Sequence, residues 1–342
     1  MELESAMQLA LDLAWRGWGL VHPNPLVGAV VLRDGDIAGQ GYHAEFGGPH
    51  AEAVALNEAG TAARGATIVV TLEPCAHTGK QPPCTDAIIA AGIQSVVFAV
   101  ADPDPRAAGG ARLLKNAGIS IRSGVKAESA ERQNALFLGA TRHPERPFVA
   151  VKLATSVDAK IADHAGRSRW ISGIEARDWV HWLRAGFDAL AVGAGTALAD
   201  DPSLTVRGPV QPRTPPGRIV FGRPQGLPST LKLFQAPSAE IVDHAGASMS
   251  VVLGRLRSQG IHSLLVEGGG RLVGRLLAED LVDRLYWIQA PLWLGQEGRP
   301  AFAGLGVPGG LGTAVRWEVA ERRSLGEDTL LVLDRRGCLP VS

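Results

Sequence analysis

ATIVVTLEPCAHTGKQPPCTDAI, residues 66–88, passes from a β-branched apolar run into two cysteines, Cys75 and Cys84, with eight residues between them. A run of that length reads as a buried strand, and the segment after it as a loop that gives way to a helix from about Thr85. Upstream, HAEAVALNEAG (50–60) carries apolar residues at helical spacing and opens on His50 and Glu52. Strand, loop and helix in this alternation are the parts of an α/β layer.

Outward from there the pattern continues. Leu3, Met7, Leu11, Ala14 and Trp18 recur at helical spacing, so an amphipathic helix opens the chain and ends near Gly17 or Gly19. VGAVVL and IAGQGYH flank Asp34-Gly35, a dipeptide suited to the positive φ of a tight hairpin, and predict two antiparallel strands. SVVFAVAD predicts another strand, with helices over 110–117 and 128–139 and a largely parallel sheet. HPERP (143–147) blocks helix continuation with Pro144 and Pro147, which places a linker there and sets the expected domains at 1–145 and 146–342. The second half predicts strands at FVAVKLA, DALAVG, GRIVF, SLLVE, RLYWIQA and TLLVLD, with helices around 174–185 and 270–278. Neither half has GxGxxG after a strand.

Composition narrows the function. The 342 residues are 46% hydrophobic and 20% charged, the profile of a folded chain of two domains rather than a disordered one. A net charge of zero, with no dense Lys/Arg window, argues against a nucleic-acid partner. MELESAMQLALD is acidic where a signal peptide is basic, and no uncharged apolar run spans a bilayer, so no membrane partner and a cytoplasmic location are expected. Cys75, Cys84 and Cys338 are too few for a disulfide framework, and Cys338 reads as an incidental thiol.

One imidazole and two thiolates suit zinc, and three protein ligands leave the fourth position of a catalytic site open. His50, Cys75 and Cys84 form such a set, with Glu52 left over as proton carrier. Bound zinc makes hydroxide available near neutral pH to attack an amidine-like ring carbon, while a carboxylate passes a proton to the departing nitrogen. His50 and Glu52, two residues apart, share a site only where the backbone changes at a helix start, which Pro49 fits. By the same reasoning Pro74 and Cys75 are expected to open a helix whose dipole favours the thiolate. A closed structural zinc would need a fourth ligand, and the spare candidates are His43, His77 and the remote Cys338.

HPNPLVGAV (22–30), GYHAEFGGPHAE (41–52), VTLEPCAHTGKQPPCTDAI (70–88) and ADPDP (101–105) follow one another in order. His-Ala-Glu, then Pro-Cys and a second Cys, is the signature of zinc nucleoside and nucleobase deaminases, most of which have a shorter gap between the cysteines. With the long cysteine loop and the PNPxVG segment together, the chain resembles the bifunctional deaminase/reductase family of riboflavin biosynthesis. That resemblance implies a cytidine-deaminase-like three-layer α/β/α domain followed by a dihydrofolate-reductase-like α/β domain. It implies zinc-hydroxide deamination of 2,5-diamino-6-(5-phosphoribosylamino)pyrimidin-4-one, then NADPH reduction of the ribosyl chain to ribityl, in a homo-oligomer. Asn24 would contact the pyrimidine, and His43, His77, Lys80 and Asp102 would line the rest of the pocket.

The resemblance runs on through VKLATSVDAKIA (151–162), SRWISG (168–173), VGAGTALADDPSLTVR (192–207) and VEGGGRLVGRLL (266–277). It implies that Ala154, Trp170, Thr196, Asp200 and the stretch from Gly269, Gly270 and Arg271 to Arg275 contact NADPH. Lys152, Ser168, Arg184, Leu204, Arg207 and Glu267 would meet the ribosyl phosphate substrate, Lys152 assisting proton delivery. The chain departs from the family in four places: Asp104 stands where an Asn is usual, Phe221 where an Asp follows the RIV strand, Ala159 where a Gly follows SxD, and 222–262 is short. The alternative is a deaminase whose second domain is an inactive oligomerisation scaffold.

Overall fold

Met7, Ala10, Leu11 and Ala14 are the buried stripe of α1 (Leu3–Ala14), and they lay the helix across a five-stranded sheet. The computed structural model describes residues 1–235, 238–244, 246–306 and 314–336, so Cys338 lies outside the described residues. The chain forms two compact units that part between Arg142 and His143.

In the first unit β1 (Gly28–Arg33) and β2 (Asp36–Tyr42) form the expected hairpin, turned by Asp34 and Gly35 at φ 53° and 87°. Then come α2 (Ala51–Ala59), β3 (Thr67–Leu72), α3 (Cys84–Ala90), β4 (Ser95–Val100), α4 (Gly110–Asn116), β5 (Ser120–Ser123), α5 (Ala127–Gln133) and α6 (Ala135–Arg142). The strand order is β2-β1-β3-β4-β5. Only β3, β4 and β5 run parallel; β1 is antiparallel to both its neighbours, so the sheet is mixed rather than largely parallel. Residues of α1 and α5 pack on one face with Val30, Val69 and Val97, while α2, α3 and α4 pack on the other with Val31, Ile68 and Val96. Gly28 permits the close approach of α1, since a Cβ there would sit 1.9 Å from the Ala10 carbonyl oxygen. The helix expected over 128–139 is two, divided at Asn134, whose buried side chain bonds both the N–H and the carbonyl of Leu26.

The second unit starts with β6 (Phe148–Thr155), β7 (Lys160–Ala162), α7 (Ile174–Arg184), β8 (Ala189–Gly193), α8 (Ala194–Asp200), β9 (Gly217–Phe221) and β10 (Ala239–Val242). It continues through α9 (Met249–Ser258), β11 (Ser263–Glu267), α10 (Gly270–Ala278), β12 (Arg284–Gln289), β13 (Arg299–Pro300), β14 (Trp317–Leu325) and β15 (Asp328–Arg335). Eight strands form one sheet in the order β10-β9-β8-β11-β6-β12-β15-β14, parallel as far as β12 and antiparallel beyond, while β7 and β13 make a separate ribbon. Every residue of β11 is buried, as expected of a central parallel strand covered on both faces. No helix among the described residues is long and apolar enough to cross a membrane.

Beside the expected linker, Arg146 is fixed into the second unit: its guanidinium lies 2.6 Å from each oxygen of Asp283, which also accepts the Val149 N–H at 2.8 Å. Both partners are buried, so removing one strands the other's charge away from water. Asp283→Ala is expected to lower the stability of this unit by about 3–5 kcal/mol, read from the midpoint of urea unfolding.

Candidate active sites

His50 is the residue before α2, with extended backbone at φ −74° and ψ 158°, and Glu52 lies in the helix's first turn. The change of backbone at that junction lets two residues at i and i+2 face one place. Helix α3 begins at Cys84, not at Cys75, which corrects the expectation of a helix opening at Pro74. Pro82 and Pro83 delay the helix, and Cys75 sits in the loop after β3. The helix start still serves Cys75, because the backbone N–H of Cys84 points at its sulfur, 3.4 Å away.

His50 Nδ1 lies 3.1 Å from the Cys84 sulfur and 3.5 Å from that of Cys75, and the three donor atoms all fall within 4.8 Å of one another. This spacing and donor set fit a tetrahedral zinc with three protein ligands. His50, Cys75 and Glu52 line a cavity of about 260 Å³, while the buried Cys84 lies behind them. The hydrogen bond from Cys84 holds the Cys75 thiol down to about 4, and the same contact, with burial, pushes Cys84 up. Glu52 is buried, and that burial raises its carboxyl, the direction a proton carrier needs.

Asn24, His43, His77, Lys80 and Asp102 line the same cavity. Asn24 Nδ2 lies 3.1 Å from His43 Nε2, and burial lowers the pKa of that imidazole. The Lys80 ammonium rests 3.9 Å above the Phe46 ring, and Gln81 Nε2 donates to the Gly47 carbonyl, so the cysteine loop leans on the segment before His50. Burial, with the carboxylates of Asp104 and Glu73 nearby, pushes Asp102 up to about 6. Asp104 is gripped by Arg106, whose Nε and Nη2 meet its oxygens at 3.0 and 2.7 Å, which neutralises the added carboxylate within its own turn. Sequence reasoning missed Phe46, Glu73 and Arg106. Glu73 accepts the N–H groups of Asp102, Gly109 and Ala111, tying the strand end to α4. Its place next to Pro74-Cys75 was the available signal.

In the second unit the residues expected at the cofactor and the substrate, apart from Val273 and Gly274 of the 269–275 stretch, line one cavity of about 1720 Å³ at the carboxyl ends of the parallel strands. Gly269 has φ 82°, and a Cβ on Gly270 would lie 2.4 Å from the Pro300 carbonyl oxygen, so the glycines are needed where α10 turns its N-terminus to the cavity. Ser168 Oγ donates to Asp200 at 2.9 Å, and Trp170, 69% exposed, lies under the Arg177 guanidinium at 4.6 Å. Glu267 ends β11 beside Lys152 of β6, whose ammonium is 3.2 Å away, and Arg184 of α7 grips it with Nε and with Nη2 at 2.9 Å. Arg184 Nη1 donates to the Thr205 carbonyl at 2.9 Å, so its fork is fully engaged. Arg207 lines the cavity and forms no ion pair among the described residues. Ala159 takes the left-handed conformation of the usual glycine, at φ 57°. Phe221 is buried against the His244 ring.

A His/Cys/Cys triad with a buried glutamate on one sheet domain, and a glycine-rich cradle on another, define a zinc-site deaminase joined to a reductase. Residues 1–100 match the cytidine and deoxycytidylate deaminase zinc-binding region, and residues 147–331 match the RibD C-terminal domain. The riboflavin biosynthesis protein RibD of Escherichia coli is 38% identical over 97% of this chain and 99% of its own, and that of Aquifex aeolicus 40% identical over 85% and 87%. The structure of Acinetobacter baumannii RibD superposes with a TM-score of 0.85 at 35% identity, covering 97% of this chain and 99% of that one. The Thermotoga maritima diaminohydroxyphosphoribosylaminopyrimidine deaminase/5-amino-6-(5-phosphoribosylamino)uracil reductase gives 0.85 at 35% identity, over 97% and 98%. The chain belongs to the RibD family of bifunctional riboflavin-biosynthesis deaminase/reductases.

Burial alone would raise the Glu267 carboxyl; Arg184 first, then Lys152, overcome it and hold it down at about 2, against an ordinary 4.5. A carboxyl lowered by folding stabilises the protein above its unfolded pKa and loses that contribution as pH falls toward the folded one. Glu267→Gln is thus expected to remove on the order of 3 kcal/mol at neutral pH. Denaturant titrations across the acid range should show a shallower decline below pH about 4.5 in the variant than in the wild type.

Proposed function

We propose that the first unit deaminates 2,5-diamino-6-(5-phosphoribosylamino)pyrimidin-4-one and that the second reduces the ribosyl chain of the product to ribityl with NADPH. The observation that carries the first step is the triad of His50, Cys75 and Cys84 with Glu52 beside it. When bound there, zinc supplies a water acidic enough to lose a proton near neutral pH. The Glu52 carboxylate would take that proton as the water oxygen adds to the ring carbon, and deliver it to the exocyclic nitrogen, so that the C–N bond breaks and ammonia leaves. Asn24 orients the ring, and His77 and Lys80 offer donors to the phosphate. Asp104 does not oppose that phosphate, since Arg106 balances its charge.

In the second unit NADPH supplies the hydride, and the protein's part is orientation and charge. The amides at Gly269, Gly270 and Arg271 face the pyrophosphate, with Ala154, Trp170, Thr196 and Asp200 along the rest of the cofactor. Arg207 binds the substrate phosphate, and Ser168 and Leu204 line its path. Arg184 holds Glu267 in place, and Glu267 keeps the Lys152 ammonium where it gives up a proton as the ribose opens. Ala159 retains the turn of the missing glycine at a cost of about 1 kcal/mol, which supports a working second half rather than a scaffold. A homo-oligomer is part of the same reading.

Glu52→Gln is expected to keep stoichiometric zinc by elemental analysis while ammonia release falls by about 10²–10⁴-fold. NADPH consumption with the already deaminated pyrimidine should be unchanged, and wild-type rates of ammonia release would reject the role given to Glu52. Quenching of tryptophan fluorescence on titration with NADPH should saturate; no saturable binding would favour the scaffold alternative.

A further inference from the structure

His43 is 3% exposed and both of its ring nitrogens are engaged. Nδ1 lies 2.9 Å from the carbonyl oxygen of Pro49, which can only accept, so Nδ1 carries the proton. Nε2 is then a bare lone pair, and Asn24, 3.1 Å away, must turn its Nδ2 toward it and donate. The tautomer of one residue thus dictates which way round the amide of another stands. One Asn24 N–H is consumed, which leaves its Oδ1 and second N–H for the cavity.

The direction of that amide matters to any ring it meets, because its acceptor and its donor are held in fixed places. A free asparagine would turn over to suit either order of groups on a ring edge, whereas this one would have to set its oxygen against the His43 lone pair and lose a buried hydrogen bond. Pro49 directly precedes the ligand His50, so the relay from Asn24 through His43 also ties the ring-gripping amide to the turn that carries the metal triad.

We infer that His43 is a positioning residue that acts through Asn24: held by Pro49, it fixes which way round the Asn24 amide stands toward the pyrimidine. This rests on the deaminase reading above and replaces, for His43, the direct pocket contact implied by family resemblance.

The test is a double-mutant cycle on the zinc-loaded full chain, following ammonia release without NADPH. His43→Phe and Asn24→Ala are each expected to raise KM about 10- to 100-fold with a smaller effect on kcat, and the double variant to be no worse than Asn24→Ala alone. His43→Gln, which offers an acceptor and a donor in place of the two ring nitrogens, should bring KM back to within about threefold of wild type. Nitrogen-resolved NMR of the imidazoles should find the His43 proton on Nδ1. Additive penalties in the double variant, a His43→Gln variant as impaired as His43→Phe, or a proton on Nε2 would each overturn the inference while leaving the deaminase in place. Absence of ammonia release from the wild type would instead fell the functional reading, and this inference with it.

Discussion

Two buried sulfurs and an imidazole nitrogen are held within 4.8 Å of each other, and the first unit is arranged around making that crowding possible. The Cys75 sulfur lies against the imidazole and against the N–H that opens α3. Each donor comes from a different place: His50 from the entry to α2, Cys75 from the loop after β3, Cys84 from the first residue of α3. Strands β1 and β3, packed between two layers of helices, give these three points a common rigid base. A divalent cation relieves the crowding by taking the sulfur lone pairs, which is why so compact a donor set costs the fold little once the ion is present.

The second unit meets its own buried charges without outside help. Glu267 is flanked by Arg184 and Lys152, and Asp283 and Asp334 are paired with Arg146 and Arg284. Of these groups Glu267, Arg184 and Lys152 line its cavity, one carboxylate held between two cations, and Arg207 lines it as well. The first site asks for a positive charge and the second presents one, a division that matches a metal-assisted hydrolysis in one unit and anion recognition in the other.

Much of this could be read from the residues alone. Apolar runs marked the central strands, Asp34-Gly35 marked the hairpin, and the residue types around His50 and the two cysteines marked the metal triad. Elements that escaped had no periodicity to show. The edge strand β5 is four residues with three exposed, and β14 exposes most of its length, so neither alternates. Helix α9 had a signal that went unused, the Ser248 side chain that caps Val251 ahead of an apolar stretch. The start of α3 was legible to within a residue of Thr85, but a helix was also expected at Pro74, because a proline-cysteine pair looks alike at Pro74 and Pro83 and only tertiary packing chooses between them. Asn134 broke a helix for a reason 108 residues away, its bonds to Leu26, which no local window contains. The engagement of Arg184 with Glu267 is equally non-local.

The turn that holds Asp104 and Arg106 bears on how this sequence can drift. A carboxylate at the first position lines the cavity of the first unit, and its companion two places along binds it at two points. The dependence runs one way: exchanging the acid leaves a guanidinium that water still covers, whereas exchanging the base leaves a carboxylate on the cavity wall without its partner. Lineages that keep the acid should therefore keep the base.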